Sequence, residues 1–271
     1  MTGVNISCQT FSWQMSLETY RGRIGHIASI AKKAGFAFLE PEIVLLGELS
    51  SAELIRREIE PQGIRIPSLV IAEEWAASEE SAGERERTDQ ALDLAEALGA
   101  TQVVVVQKSD GRHDLAERQR GLMTCFDAIA MRAADRGIGV SFHPNSLDTS
   151  LFIDGADYDV LEQILPERVG FAPDLGHVAR GGMDVVETVT RFRERIVHLH
   201  VKDMFANGEW APTGEGVVDI VGVFRQLSET GFAGWAAFED ESALAETDPD
   251  EATLRAGRWV REHLAEYLAD A

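Results

Sequence analysis

Two imidazoles and two carboxylates, His143, Asp174, His200 and Glu239, stand 31, 26 and 39 residues apart, and each closes a short, largely apolar run. Brought together, such groups bind a divalent cation, because imidazole and carboxylate are natural ligands for first-row metals. Two negative charges also offset that of an M2+ ion in a partly desolvated pocket. Taken singly, each residue has a plainer explanation. A lone histidine is usually a hydrogen-bonded structural residue. Asp174 in PDLGH could cap a following helix, and Glu239, beside Asp240 and Glu241, could belong to a solvated acidic run. Whether they converge depends on the elements that carry them.

Those elements repeat. An amphipathic helix, a glycine and a short apolar strand recur in AKKAGFAFLE, PQGIRIPSLV, EALGATQVVVV, ADRGIGVSFHP and SETGFAGWAAFE. The glycine suits the left-handed turn that ends a helix. Helical spacing joins Ile24, Ile27, Ile30 and Ala34; Leu115, Leu122, Phe126, Ile129 and Ala133; and Ile220, Phe224 and Leu227. Capping signals stand at Ser50 with Glu53, Asp184 with Glu187, and Asp248-Pro249. Eight strands are predicted, near 4–8, 36–40, 64–71, 102–107, 138–143, 168–173, 195–201 and 233–239. A Gly/Pro-containing loop, 204–217, precedes the seventh helix. Strict alternation implies parallel strands, and eight units make a closed α/β (β/α)8 TIM barrel, expected as a single domain over 1–271. The competing doubly wound sheet lacks its glycine fingerprint, since CQTFSWQM follows the first strand.

Strand parity then sorts the side chains. Val197, Leu199 and Val201 share one face of the seventh strand and should pack under the helices, with His198, His200 and Lys202 on the other. The same alternation turns His143, Asp174 and Glu239 inward at strand carboxyl ends, where barrel enzymes place their chemistry. A metal site of His143, Asp174, His200 and Glu239 is the expectation. Glu239, His177 and Lys202 are the candidate acid–base groups, and Asp203 is expected to orient Lys202 or a histidine. Glu40 and Gln107, inward at the ends of strands two and four, are candidates for binding a polyol. Trp13 is a candidate for stacking on a sugar face.

The formal charge is −21, from 25 basic and 46 acidic residues, which disfavours nucleic acid and anionic membrane as partners. With 45% hydrophobic residues the chain reads as globular. Two cysteines, Cys8 and Cys125, form no disulfide framework. The N-terminus has no signal-peptide pattern and no segment reaches membrane-spanning length, so a soluble cytoplasmic protein is expected.

The segment 138–241 resembles the xylose isomerase-like barrel family of sugar isomerases, epimerases and inosose dehydratases. The matching stretches are GVSFHPN, VGFAPDLGHV, RIVHLHVKD, PTGEGVVDI and GWAAFEDE. The resemblance puts Asp174, His200 and Glu239 on metal-ligand positions. The implied ion is manganese by preference, or cobalt, magnesium, iron(II) or zinc. Ketose epimerases of this kind carry a glutamate where this chain has His143. FHPN is closer to inosose-dehydratase-like members, which tend to have a second histidine where Asn145 stands, so Asn145 is a further substrate-binding candidate. The implied function is proton abstraction next to a carbonyl of a keto-sugar or keto-cyclitol, as isomerase, epimerase or dehydratase (lyase). The substrate is expected to be a small, unphosphorylated sugar or cyclitol, and the resemblance implies a homo-oligomer. Three alternatives stand beside it: an endonuclease IV-like phosphodiesterase, the barrel subunit of a complex cleaving 3-keto-glycosides, and a metal-free binding or partner protein.

Overall fold

Eight short strands alternate with helices in the computed structural model, which describes residues 3–47 and 51–269. They are β1 (Asn5–Gln9), β2 (Leu39–Glu40), β3 (Ser68–Glu73), β4 (Gln102–Gln107), β5 (Gly139–His143), β6 (Val169–Phe171), β7 (His198–Val201) and β8 (Trp235–Phe238). All pairings among them are parallel, in two runs ordered β2-β1-β8-β7 and β3-β4-β5-β6. Isolated bridges close the ring. Phe38 with Arg65 and Glu42 with Val70 join the runs on one side; Phe171 with Ile196 and Asp174 with His200 join them on the other. The architecture is the predicted (β/α)8 barrel.

Packing follows the predicted parity except at Val197, which precedes the strand and is exposed. Val140, Phe142, Val169, Phe171, Leu199, Val201, Ala236 and Phe238 belong to the large apolar layer between strands and helices. Val70, Val104 and Ala172 form a small separate cluster with Val106. The helical stripes are buried as their spacing requires: Ile24, Ile27 and Ala34 in helix Ile24–Ala34, Phe126 and Ile129 in Leu115–Ala134, Phe224 in Ile220–Glu229. Gly35 ends the first of these at φ +99°, a conformation that a Cβ would strain. Asp184 and Asp248 cap their helices through the amides of Glu187 and Glu251. Ser50 lies outside the described residues; Ser51 caps that helix through Leu54.

Two local expectations change. The third strand starts at Ser68, not near 64, because Pro67 has no N–H for a ladder, although Ile64 and Ile66 are still buried. Part of the loop expected over 204–217 is a hairpin, Asp203–Met204 antiparallel to Trp210–Ala211. Among the described residues no helix is long and apolar enough to cross a membrane.

Candidate metal and acid–base site

The four residues read from the sequence meet at the carboxyl ends of β5 to β8. His143 ends β5, Asp174 lies three residues beyond β6, His200 lies within β7 and Glu239 follows β8. One ligand atom from each of His143, Asp174 and His200 falls within a 4.8 Å cluster. Glu239 Oε2 stands 3.1 Å from His200 Nδ1. All four side chains are buried.

Asp174 divides its work. Oδ1 accepts from the His177 amide at 2.8 Å and so caps helix Leu175–Arg180. Oδ2 turns into the barrel, 3.3 Å from Lys202 Nζ and 3.7 Å from His143 Nε2. Gly176 follows from this crowding. A Cβ there would stand 3.1 to 3.2 Å from Lys202, Trp210 and Asp174, which accounts for the glycine in D-x-G-H.

Lys202 is 1% exposed and sits among three carboxylates. Its Nζ is 3.1 Å from Glu239 Oε1, 3.3 Å from Asp174 Oδ2 and in contact with Glu241. It also meets His177 Nε2 at 3.1 Å and lies 4.6 Å from the centre of the Trp210 ring. Burial opposes its charge, but the three carboxylates outweigh burial and hold the ammonium protonated. Glu239 in turn is held below the usual carboxylate range by Lys202 and His200, against its burial. Burial, then Lys202, pushes His177 down, and burial, then His200, pushes His143 down, so both rings are neutral. His200 is the exception: against burial, Glu40 and Glu239 lift it to about 10.

The donor set fits a divalent ion. His143 Nδ1, His143 Nε2 and Asp174 Oδ2 are buried with no hydrogen-bond partner. Neutral imidazole nitrogen and carboxylate oxygen left unpartnered at a strand-end cluster are what a metal ligand set looks like before its ion is added.

The remaining candidates are placed differently. Glu40, read as a polyol binder, is fully buried. Its oxygens stand 2.7 Å from Nε2 of both His198 and His200, and Ser68 Oγ donates to it. Neither ring N–H is aimed squarely at its oxygen, so these are charge-assisted contacts rather than aligned hydrogen bonds. Trp13 is packed in the apolar layer and its indole donates to Asp250 at 2.8 Å. Gln107 and Asn145 line a small hollow with His143; Gln107 donates to the Trp75 carbonyl at 3.4 Å, and Asn145 accepts from the Leu147 amide and donates to the Gln107 carbonyl at 3.5 Å.

Asp203 does not touch Lys202 or a histidine through any polar contact. Its carboxylate accepts from four amides, those of Met204 (2.8 Å), Gly214 (2.9 Å), Gly216 (2.9 Å) and Val218 (3.2 Å). It therefore ties down the loop that brings Trp210 to the site. In Asp203→Asn an amide group must face two of these N–H donors. We expect a loss of about 3 kcal/mol, since bonds to a charged acceptor are each worth about 1.5–3. Differential scanning calorimetry should show Tm lower by roughly 6–12 °C.

Four contributors went unassigned in the sequence. Parity turns His198 inward, and only its contact with Glu40 gives it a role. Ser146, which meets His177 Nδ1 through its N–H (3.1 Å) and Oγ (2.8 Å), carries no motif. Glu241 sits in an acidic run that reads as solvated, and Trp210 in a loop that reads as irregular.

The barrel and its strand-end polar cluster define the class of protein: a (β/α)8 barrel with a candidate metal centre. The model of the xylose isomerase-like TIM barrel family matches residues 28–263, and the chain belongs to that family. It is 32% identical over 211 residues to the rhizopine catabolism protein MocC of Rhizobium meliloti, covering 66% of this chain and 63% of that protein. It is 24% identical over 230 residues to inosose dehydratase of Lacticaseibacillus casei, covering 71% and 76% of the two chains. The IOLI protein, solved with a bound zinc atom, superimposes with a TM-score of 0.79 at 15% identity over 98% of this chain and 100% of its own.

Proposed function

We propose that this barrel is a metal-dependent enzyme that abstracts the proton next to a carbonyl of a keto-sugar or keto-cyclitol. The observation that carries the reading is the convergence of His143, Asp174 and His200, with His143 Nδ1 and Nε2 and Asp174 Oδ2 buried without hydrogen-bond partners and Glu239 against His200. Its likeness to an inosose dehydratase and to a rhizopine catabolism protein supports a small polyhydroxylated substrate. Manganese is the ion the family resemblance implies first, and a mixed N/O donor set also suits zinc, cobalt or iron(II).

Protons next to a carbonyl are weakly acidic. The bound ion supplies Lewis-acid stabilisation of negative charge on the carbonyl oxygen. The chain supplies the proton transfers. Glu239 and Lys202 are in contact, and Lys202 leads on to His177. The Ser146 N–H can only donate, so His177 Nδ1 is an acceptor and Nε2 is the edge facing Lys202. The neutral ring therefore holds its hydrogen on Nε2, facing the Lys202 ammonium, so a proton crosses this contact only after Lys202 has given one to Glu239. Trp210 lies edge-on to His177 at 5.1 Å and closes this side of the site against water. A proton returned to the opposite face gives epimerisation, and loss of a β-hydroxyl gives dehydration.

The test is incubation with ketoses and keto-inositols in D2O with Mn2+, followed by NMR and mass spectrometry. Deuterium beside the carbonyl is expected with at least one of them, and a water-loss product would assign a dehydratase. Chelation should stop both. No exchange and no turnover across the panel, with metal bound, would overturn the reading.

A further inference from the structure

We propose that Glu40 is a positioning residue that fixes which nitrogen of His200 is offered to the metal. The inference rests on the metal reading above and deepens it. Glu40 ends β2, and β1 and β8 separate it from β7 in the sheet order β2-β1-β8-β7, so it reaches His198 and His200 across the barrel interior. Its Oε2 stands 2.7 Å from His198 Nε2 and its Oε1 2.7 Å from His200 Nε2. Ser68 Oγ donates to Oε2.

A carboxylate this deep is stable only if donors surround it. A ring nitrogen presenting a lone pair at 2.7 Å would repel it. Both Nε2 atoms therefore carry hydrogen. His200 is left with Nδ1 as the nitrogen it can give up to an ion; without one, Nδ1 also carries a hydrogen and donates to Glu239 Oε2 at 3.1 Å. An ion shared by Glu40, His198 and His200 fits these distances poorly. Atoms bound to one ion at about 2.1 Å each stand roughly 3 Å or more apart.

His198 has no second polar contact: its Nδ1 is buried and unpartnered. This makes the two obvious variants unequal. In Glu40→Gln the carbonyl can stay on His200, while the amide NH2 faces His198, whose proton can move to Nδ1. In Glu40→Leu nothing accepts from either ring.

Mn2+ binding, followed by EPR of the free ion, should therefore weaken about 10–100-fold in Glu40→Leu and much less in Glu40→Gln. Independently, a 15N-histidine long-range correlation spectrum of the zinc-loaded wild type should show His200 protonated at Nε2 and shifted at Nδ1. A His200 carrying its proton on Nδ1 overturns the inference, as does a folded Glu40→Leu that binds Mn2+ like the wild type. Should Glu40→Leu not fold, the wild-type spectrum decides alone. A wild type that takes up neither ion overturns the metal reading, and this inference with it. Normal uptake with the wrong tautomer overturns this inference only.

Discussion

Asp174→Asn is expected to remove function while leaving the fold in place. Asparagine is as good an N-cap as aspartate, so the bond to the His177 amide survives at the same position. What changes is Oδ2. It faces Lys202 and His143 and is held ionised by Lys202 against complete burial. An amide there offers the ion no charge. Mn2+ affinity should fall at least about 100-fold, and kcat/KM on whatever substrate the deuterium-exchange panel identifies by roughly 1000-fold or more. Tm should stay within about 3 °C of the wild type in chelator. A large loss of Tm with intact metal uptake would return Asp174 to a capping role alone.

Lys202→Met should behave in the opposite way towards metal. The ammonium balances Asp174 and Glu239 in one buried cluster, beside Glu241, whose carboxyl burial lifts to about 8. Methionine fills the same apolar path and leaves three carboxyl groups facing each other. Removing one partner of a buried charge cluster costs about 3–5 kcal/mol, so in chelator the variant should melt well below the wild type. A divalent ion replaces the lost positive charge, so Mn2+ should bind more tightly than in the wild type and raise Tm by more. Turnover should nevertheless fall about 100-fold or more, because the relay between Glu239 and His177 is broken. Thermal melts with and without Mn2+, beside a titration, check all three. Unchanged stability in chelator together with weaker metal uptake would overturn this account.

Much of the barrel was legible because parity and period are local. HLHVK places two histidines and a lysine on one face whatever surrounds them, and the large apolar cluster holds the opposite face. The convergence at strand ends followed from counting to eight. The role of Glu40 was not legible. Parity gives Glu40 only as a candidate for binding a polyol, and only the closure of the ring brings β2 across from β7. Asp203 was hidden for a related reason: its four donors come from a loop whose path depends on a two-residue hairpin that no alternation announces. Ile64 and Ile66 misled in the other direction, being buried and alternating, yet Pro67 delays the ladder.

The ring of strands is continuous only through isolated bridges at two joints, one of them the pairing of Asp174 with His200. His143 and Asp174 belong to one half of the cylinder, and His200 and Glu239 to the other. A cation held as proposed would therefore also be a rivet between two half-cylinders. Its departure would leave that joint the easiest place for the barrel to breathe, so that saturation with metal and mechanical integrity rise and fall together.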